Sequence, residues 1–535
     1  MQHGIICAPQ PEAVDVGAQT LKAGGNAVDA AIACAFVQGV VDPMMCGIAG
    51  FGSMQLYLPE KSIHGFIDFH GKAPAATRAD MWAHLIEGET RDGFGFILKG
   101  RVNDLGYQAI TVPGSLKAYH QAHSQYGRLP WAEIVAPAIA YARDGWTVRP
   151  HVTYWWSGEG ELGRSPTAER LRFSPDGAAM YCRADGSPKR LGDTVRNPDL
   201  ANTLALIARD GADIFYTGAI AGAIAEDMRA HDGLLSAEDL RAYETIWRDP
   251  LWGSYRGKRI ATNHPPGGGI MLVQMLNMLE AFDLRGIGHN TPDYVRIVAE
   301  VMKRATIDKD AHVGDPGFVD IPLPRLMDKA YAAQLAGDIR AGIKAHVPRM
   351  AMPAEAKDTT QISVADVDGN IVSMTHSLGM PSGVITPGLG FMYNGAMAVF
   401  DPRPGRAGSL APGKSRFSSL CPSILFEGDA PFMVIGAPGG TNIAMGVLQA
   451  ILNMIDFGMS PVEAVSAARL SATSDRIDVT NRLSRLVTDE VAAMGYDIVR
   501  SPLSYAIAAV HALLKTDRGW VGGADPGHDG MAVVV

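Results

Sequence analysis

The chain has 535 residues, of which 47% are hydrophobic and 19% charged; this composition can bury a sizeable core and excludes an intrinsically disordered chain. A formal net charge of −9 without any Lys/Arg cluster excludes a nucleic-acid partner, because phosphate binding needs a basic face. No apolar run reaches about 18 residues, so no membrane span and no membrane partner are expected.

From the N-terminus, "MQHGIICAPQPEAVD" carries neither a basic n-region nor a long apolar h-region, which predicts a cytoplasmic protein. The five cysteines (Cys7, Cys34, Cys46, Cys182, Cys421) form no CxxC pair and predict buried, reduced thiols, with no metal and no cofactor. In "AQTLKAGGNAVDAAIACAFVQGVV" a helix should stop near Ala23, with Gly24 or Gly25 in the left-handed position. Asn26 should then cap a second helix over 27–39. That second helix is apolar on nearly every side and reads as buried between layers. "GIAGFGSMQLYL" (47–58) reads as a glycine turn entering a strand. Helices follow over 129–145 and 271–282, the latter entered through the stiff loop "HPPGGG" (264–269).

Residues 337–357 read as an exposed loop. Beyond them β patterning takes over in "QISVADV", "NIVSMTHS", "SILFEG", "FMVIGAP" and "HDGMAVVV", with a helix over 446–458. Strands flanked by blocks of helices predict a layered αββα arrangement in place of regular βαβ alternation. Asp368-Gly369 is a strong two-residue hairpin signal; with that loop Val367 faces Asn370, Thr360 faces Ser377 and Thr359 lies diagonal to it. A three-residue loop slides the pairing by one position. His376 falls on the opposite strand face from Ser377 and is read as a packing histidine.

The doubled threonine in "KDTTQ" admits two readings. Thr359 and Thr360 are ordinary strand residues, which threonine favours, or Thr359 is an N-terminal nucleophile exposed by cleavage after Asp358. In the second reading one residue supplies both hydroxyl and base, since its new α-amine has a reference pKa of about 7.7–8.0. The glycine turn "GAPGGTN" (436–442) after an apolar strand can supply backbone N–H groups to an oxyanion.

The segments "AGGNAVDAA", "VVDPMMCGIAGFG", "VPGS", "LWGSYRG", "PPGGG", "DTTQISVADVDGN", "SSLCP" and "GAPGG", in this order, resemble the γ-glutamyltranspeptidases of the N-terminal nucleophile hydrolase superfamily. The resemblance implies a four-layer αββα sandwich of class α+β and a proenzyme cut between Asp358 and Thr359. Residues 1–358 and 359–535 then form the large and small subunits of one domain, a heterodimer that stands alone or pairs with a second copy. It carries over Thr359 as nucleophile, Ser377 as the second hydroxyl, Gly439 and Gly440 as the oxyanion hole, and Ser418 and Ser419 as the pair holding the substrate's carboxylate.

Departures from the family pattern bear on the substrate. His70 in "DFHGKAP" stands where the family's carboxylate-clamping arginine is expected, so His70 joins the candidate substrate-binding residues and the clamp is expected to be missing. "YNGAMAV" (393–399) lacks the acid that receives an α-ammonium, and an unpaired buried ammonium costs several kcal/mol; Asp401 is the alternative partner. The expected function is therefore a self-cleaving amidohydrolase or acyltransferase on a small-molecule amide of the oxamate or glutaryl kind. The alternatives are a glutathione-type γ-glutamyl hydrolase, a catalytically silent relative that binds ligands, and an unrelated enzyme with structural threonines.

Overall fold

The computed structural model describes residues 3–91, 93, 95–158, 164–349 and 359–535. The two principal sheets use thirteen strands: β1 (Gly4–Ala8), β2 (Phe51–Leu58), β3 (Ile63–Phe69), β4 (Ile246–Arg248), β5 (Leu251–Tyr255), β6 (Lys258–Thr262), β7 (Thr360–Asp366), β8 (Ile371–Ser377), β9 (Ser423–Glu427), β10 (Ala430–Gly436), β11 (His511–Thr516), β12 (Gly519–Ala524) and β13 (Met531–Val534). The first sheet has the order β13-β1-β7-β8-β2-β3-β4 and the second β12-β11-β10-β9-β6-β5. Among the described residues every pairing in both sheets is antiparallel.

Side-chain alternation builds the layers. Ile6, Ile362, Val364, Val372 and Met374 point from the first sheet into a core shared with helices α1 (Pro11–Lys22), α2 (Ala27–Val41), α3 (Ser115–Tyr126) and α4 (Trp131–Asp144). Their neighbours Ile5, Cys7, Ala365 and Ile371 point the other way and meet Ile424, Val434 and Leu513 of the second sheet. The far face of that sheet packs Leu425, Met433 and Ile435 on α5 (Gly269–Leu279), α6 (Pro292–His312) and α7 (Ile443–Ile455). Helix, sheet, sheet, helix is the αββα order expected from the sequence.

The local signals behave as their chemistry dictates. Gly24 has φ +94° and ends the first helical run. Asn26 accepts from the amides of Val28 and Asp29 while the Asp29 carboxylate accepts from the Asn26 amide, a reciprocal capping box. The α2 helix is buried along almost its whole surface. The loop expected from 337 begins later, because the helix Lys329–Arg340 runs through Gly337. All five cysteines are buried and free, and no helix among the described residues is long and apolar enough to cross a membrane.

The hairpin carries the one correction to the expected pairing. Asp366 N–H donates to Asn370 O at 3.0 Å and Gly369 has φ +81°, so the loop is the three residues Val367 to Gly369. The Asp366 carboxylate accepts from the amides of Asp368 and Asn370 and from Ala27 N–H at the start of α2. This bonding favours the longer loop and locks it to the helix layer. Thr360 consequently faces His376, not Ser377, and the same register places Thr359 opposite Ser377. Asn26→Ala should remove about 1 kcal/mol of stability, read as a lower denaturant midpoint with unchanged slope; an unchanged midpoint contradicts the structural role of the cap.

Candidate active site

The two threonines differ because they lie on opposite faces of β7. Thr360 Oγ1 turns to the helix layer, where it accepts from Gln38 Nε2 at 3.1 Å. Gln38 Oε1 lies 2.8 Å from His376 Nε2, which must therefore carry the proton, and His376 Nδ1 accepts from Tyr119 O–H at 2.6 Å. Burial pushes the His376 pKa down to about 3, so it is neutral. His376 is the packing residue expected, and Thr360 is an anchor.

Thr359 turns to the space between the sheets, with Oγ1 3.0 Å from Ser377 Oγ. The serine oxygen also accepts from Gly379 N–H at 2.7 Å, which fixes its hydroxyl at the strand end. Gly379 has φ +70° at this turn, a conformation that disfavours a side chain. Below the pair the inter-sheet face is polar: Gln361 Nε2 donates to Ser363 and Ser373 hydroxyls, each at 3.2 Å, and Thr375 Oγ1 donates to Gln361 Oε1. Gly436 of β10 leaves the room Gln361 occupies, since a Cβ there would lie 2.3 Å from its Oε1.

Thr359 and Gly439 line one cavity of about 560 Å³, walled by Tyr154, Trp155, Met380, Leu503, Tyr505 and Ile507, among others. Gly439 has φ +142° and Gly440 φ +54°, and a Cβ on Gly439 would stand 2.6 Å from Ala508 Cα. No side chain fits. The pair turns β10 into a 3-10 segment, Gly440–Asn442, that leads directly into α7, so its amides sit at the positive end of a helix, where a developing oxyanion is stabilised.

The other sequence-predicted residues form a second group. His70 Nε2 lies 2.6 Å from Ser418 Oγ, and His70 Nδ1 lies 2.6 Å from Asp68 Oδ1. Burial raises the Asp68 carboxyl, but His70 beside it outweighs this and holds it below the usual range. Asp68, which sequence reasoning missed, thus orients His70, and His70 orients Ser418. The "PPGGG" loop seats the serines: Ser418 N–H donates to Pro266 O, and a Cβ on Gly268 would lie 2.5 Å from Ser419 O. His70 and Ser418 are not on the wall of the large cavity; Asp358 lies outside the described residues.

Positive charge in this quarter comes from another residue that sequence reasoning missed. Arg416 lies with its guanidinium 4.5 Å over the Phe51 ring. Phe51 is the strand partner of Ser377 and stacks on His70. Burial pulls Arg416 down to about 9, still cationic at neutral pH. Two candidate partners for an ammonium are already engaged: Asp401 pairs with Arg403 at 2.7 Å and Asp525, on the cavity wall, pairs with Arg469. Asn394 is saturated by Thr111 and Ala49.

The family model described as Gamma-glutamyltranspeptidase matches residues 13–535. The chain belongs to that family. Its γ-glutamyltranspeptidase-family relatives include the Acylase ACY 1 proenzyme of Pseudomonas sp. (strain SE83), 36% identical over 94% of this chain and 88% of the relative. The Glutathione hydrolase proenzyme of Pseudomonas aeruginosa is 32% identical over 100% of this chain and 95% of the relative. The solved cephalosporin acylase from Bacillus halodurans superposes with a TM-score of 0.86 at 27% identity, covering 99% of this chain and 96% of that one. The γ-glutamyltranspeptidase of Helicobacter pylori reaches 0.55 at 30% identity, covering 62% of this chain and 90% of that one. The chain is thus of the N-terminal nucleophile hydrolase fold, from a family of self-processing amidohydrolases and transferases.

Ser377→Ala removes a hydrogen-bond partner worth about 1–3 kcal/mol from the candidate nucleophile Thr359 Oγ1 and is expected to lower kcat about 10- to 100-fold with KM within about threefold. Steady-state kinetics on matured protein reads this; a wild-type kcat excludes the pair from the chemistry.

Proposed function

We propose that the protein cuts its own chain between Asp358 and Thr359 and then hydrolyses amides through an ester on Thr359 Oγ1. In maturation Oγ1 attacks the Asp358 carbonyl carbon, the C–N bond breaks, and the hydroxyl proton passes to the nitrogen that becomes the Thr359 α-amine. Water then hydrolyses the ester and leaves the Asp358 carboxylate. In turnover the α-amine takes the Oγ1 proton as Oγ1 attacks the substrate carbonyl, and gives it to the departing amine. Water, deprotonated by the same α-amine, releases the acid. The observation that carries this reading is the 3.0 Å pairing of Thr359 with Ser377, with Thr359 lining the same cavity as Gly439. Residues 1–358 and 359–535 are the proposed subunits, and the buried free thiols suit a cytoplasmic setting.

The substrate class that the site supports best is an amide whose acyl group carries a carboxylate and no α-ammonium, of the glutaryl or oxamate kind. Arg416, Ser418 and Ser419 supply a cation and hydroxyls suited to a carboxylate, while Asp401 is paired with Arg403 and Asp525 with Arg469. The acylase relative favours the same reading, while the glutathione hydrolase relative favours a γ-glutamyl substrate.

Thr359→Ala should abolish both fragmentation and turnover; residual wild-type activity in it overturns the mechanism. Because the α-amine must be neutral to act as base, kcat/KM should rise with pH through about 7.7–8.0, the reference value for that group, and level off above it. Glutaryl-p-nitroanilide should be turned over faster than γ-glutamyl-p-nitroanilide. Arg416→Met should cost it about 10- to 100-fold in kcat/KM, one charge-assisted bond of about 1.5–3 kcal/mol, while sparing acetyl-p-nitroanilide. A γ-glutamyl compound that matches the glutaryl one would reverse the choice of substrate.

A further inference from the structure

Two histidines on the cavity wall stand beside a buried aspartate from a distant part of the chain. Asp42 follows α2, His151 lies in the helix Pro150–Trp156, and His528 precedes β13. Their potential ligand atoms all lie within 4.8 Å of one another. His528 Nε2 is 3.9 Å from Asp42 Oδ2, and the two imidazole centroids are 3.8 Å apart. We propose that Asp42, His151 and His528 bind one borderline divalent cation, zinc by preference.

Four observations carry this. Among the described residues, His151 Nε2, His528 Nε2 and Asp42 Oδ1 are all buried atoms without a hydrogen-bond partner, a costly state that a shared cation removes. The supporting bonds are those a metal site uses. His151 Nδ1 lies 3.2 Å from Gly527 O, which can only accept, so the proton sits on Nδ1 and Nε2 presents its lone pair. Gln10 Nε2 donates to Asp42 Oδ2 at 2.8 Å and is itself held by Gln38, the residue that anchors Thr360.

Local charge also matches. Arg149 pairs with Glu12 at 3.1 Å and Asp529 at 2.9 Å, and all three act on Asp42. Three carboxylates thus face one guanidinium, an excess of two negative charges that a divalent ion neutralises. Finally, two imidazoles with one carboxylate suit zinc better than calcium or magnesium, which prefer oxygen ligands throughout. With metal–ligand bonds of about 2.0–2.1 Å, donors in a tetrahedral site stand about 3.3 Å apart, so binding draws the donor atoms together while side-chain torsions swing the two rings apart from their 3.8 Å centroid separation. Both imidazoles line the same cavity as Thr359. The fourth ligand position therefore opens on that cavity, for water or a carboxylate.

The test reads metal binding, not turnover, so it stands apart from the proposed reaction. Matured protein stripped with a chelator is titrated with ZnCl2 by calorimetry, with MgCl2 and CaCl2 as controls, and with CoCl2 followed by visible absorption. One zinc per chain, no magnesium or calcium binding, and cobalt ligand-field bands are expected. His528→Asn and Asp42→Asn should weaken zinc binding at least about 10-fold. His151→Gln, at a less enclosed position, guards against loss of folding: its metal-free melting temperature should match wild type while the zinc-induced rise in melting temperature disappears. No saturable zinc binding, equal binding of magnesium, or undiminished affinity in His151→Gln overturns the proposal.

Discussion

The register of one hairpin sets the site. Because the loop between β7 and β8 takes three residues, Thr359 and Ser377 stand across from one another and their hydroxyls meet. A slip of one residue would turn one strand over relative to the other and part Thr359 from Ser377. Asp366 guards against that slip by bonding the loop amides and the first amide of α2 together. Strand pairing, helix capping and the candidate nucleophile are thus a single construction. The doubled threonine follows from it, since one hydroxyl faces the space between the sheets and the next holds the strand to α2.

The second constraint is that the two sheets enclose polar groups near Thr359 and apolar ones farther away. Ile5, Ala365, Ile371, Val434 and Leu513 form a dry contact, whereas Gln361, Ser363, Ser373 and Thr375 form a hydrogen-bonded patch approaching Thr359. Buried polar groups tied to each other in this way hold a geometry that apolar packing alone leaves adaptable. A second group stands apart from this patch: Asp68, His70 and Ser418 form a hydrogen-bonded relay, and His70 and Arg416 both pack on Phe51.

Much of this was legible in the sequence because it rests on local chemistry. Asn26 as a cap, the alternation in "QISVADV" and the glycine pair in "GAPGG" are each dictated within a few residues. The resemblance to a family then assigned roles to Thr359, Ser377, Ser418 and Ser419, and the structure brings the first two together and joins Ser418 to His70. The Asp-Gly signal gave the wrong loop length, because a distant partner, Ala27 N–H, helps to fix the Asp366 carboxylate. Arg416 over Phe51, Asp68 behind His70, and Asp42 with His151 and His528 had no sequence signal. Each depends on contacts between segments separated by a hundred residues or more, or on which way a side chain turns.

Intact-mass spectrometry of matured protein caught during turnover of a slow amide tests the central claim most directly. The account predicts two polypeptides split after Asp358, with the smaller one transiently heavier by one acyl group that maps to Thr359. A working enzyme whose chain is unbroken at that bond, or an acyl group found on any other residue, would contradict it.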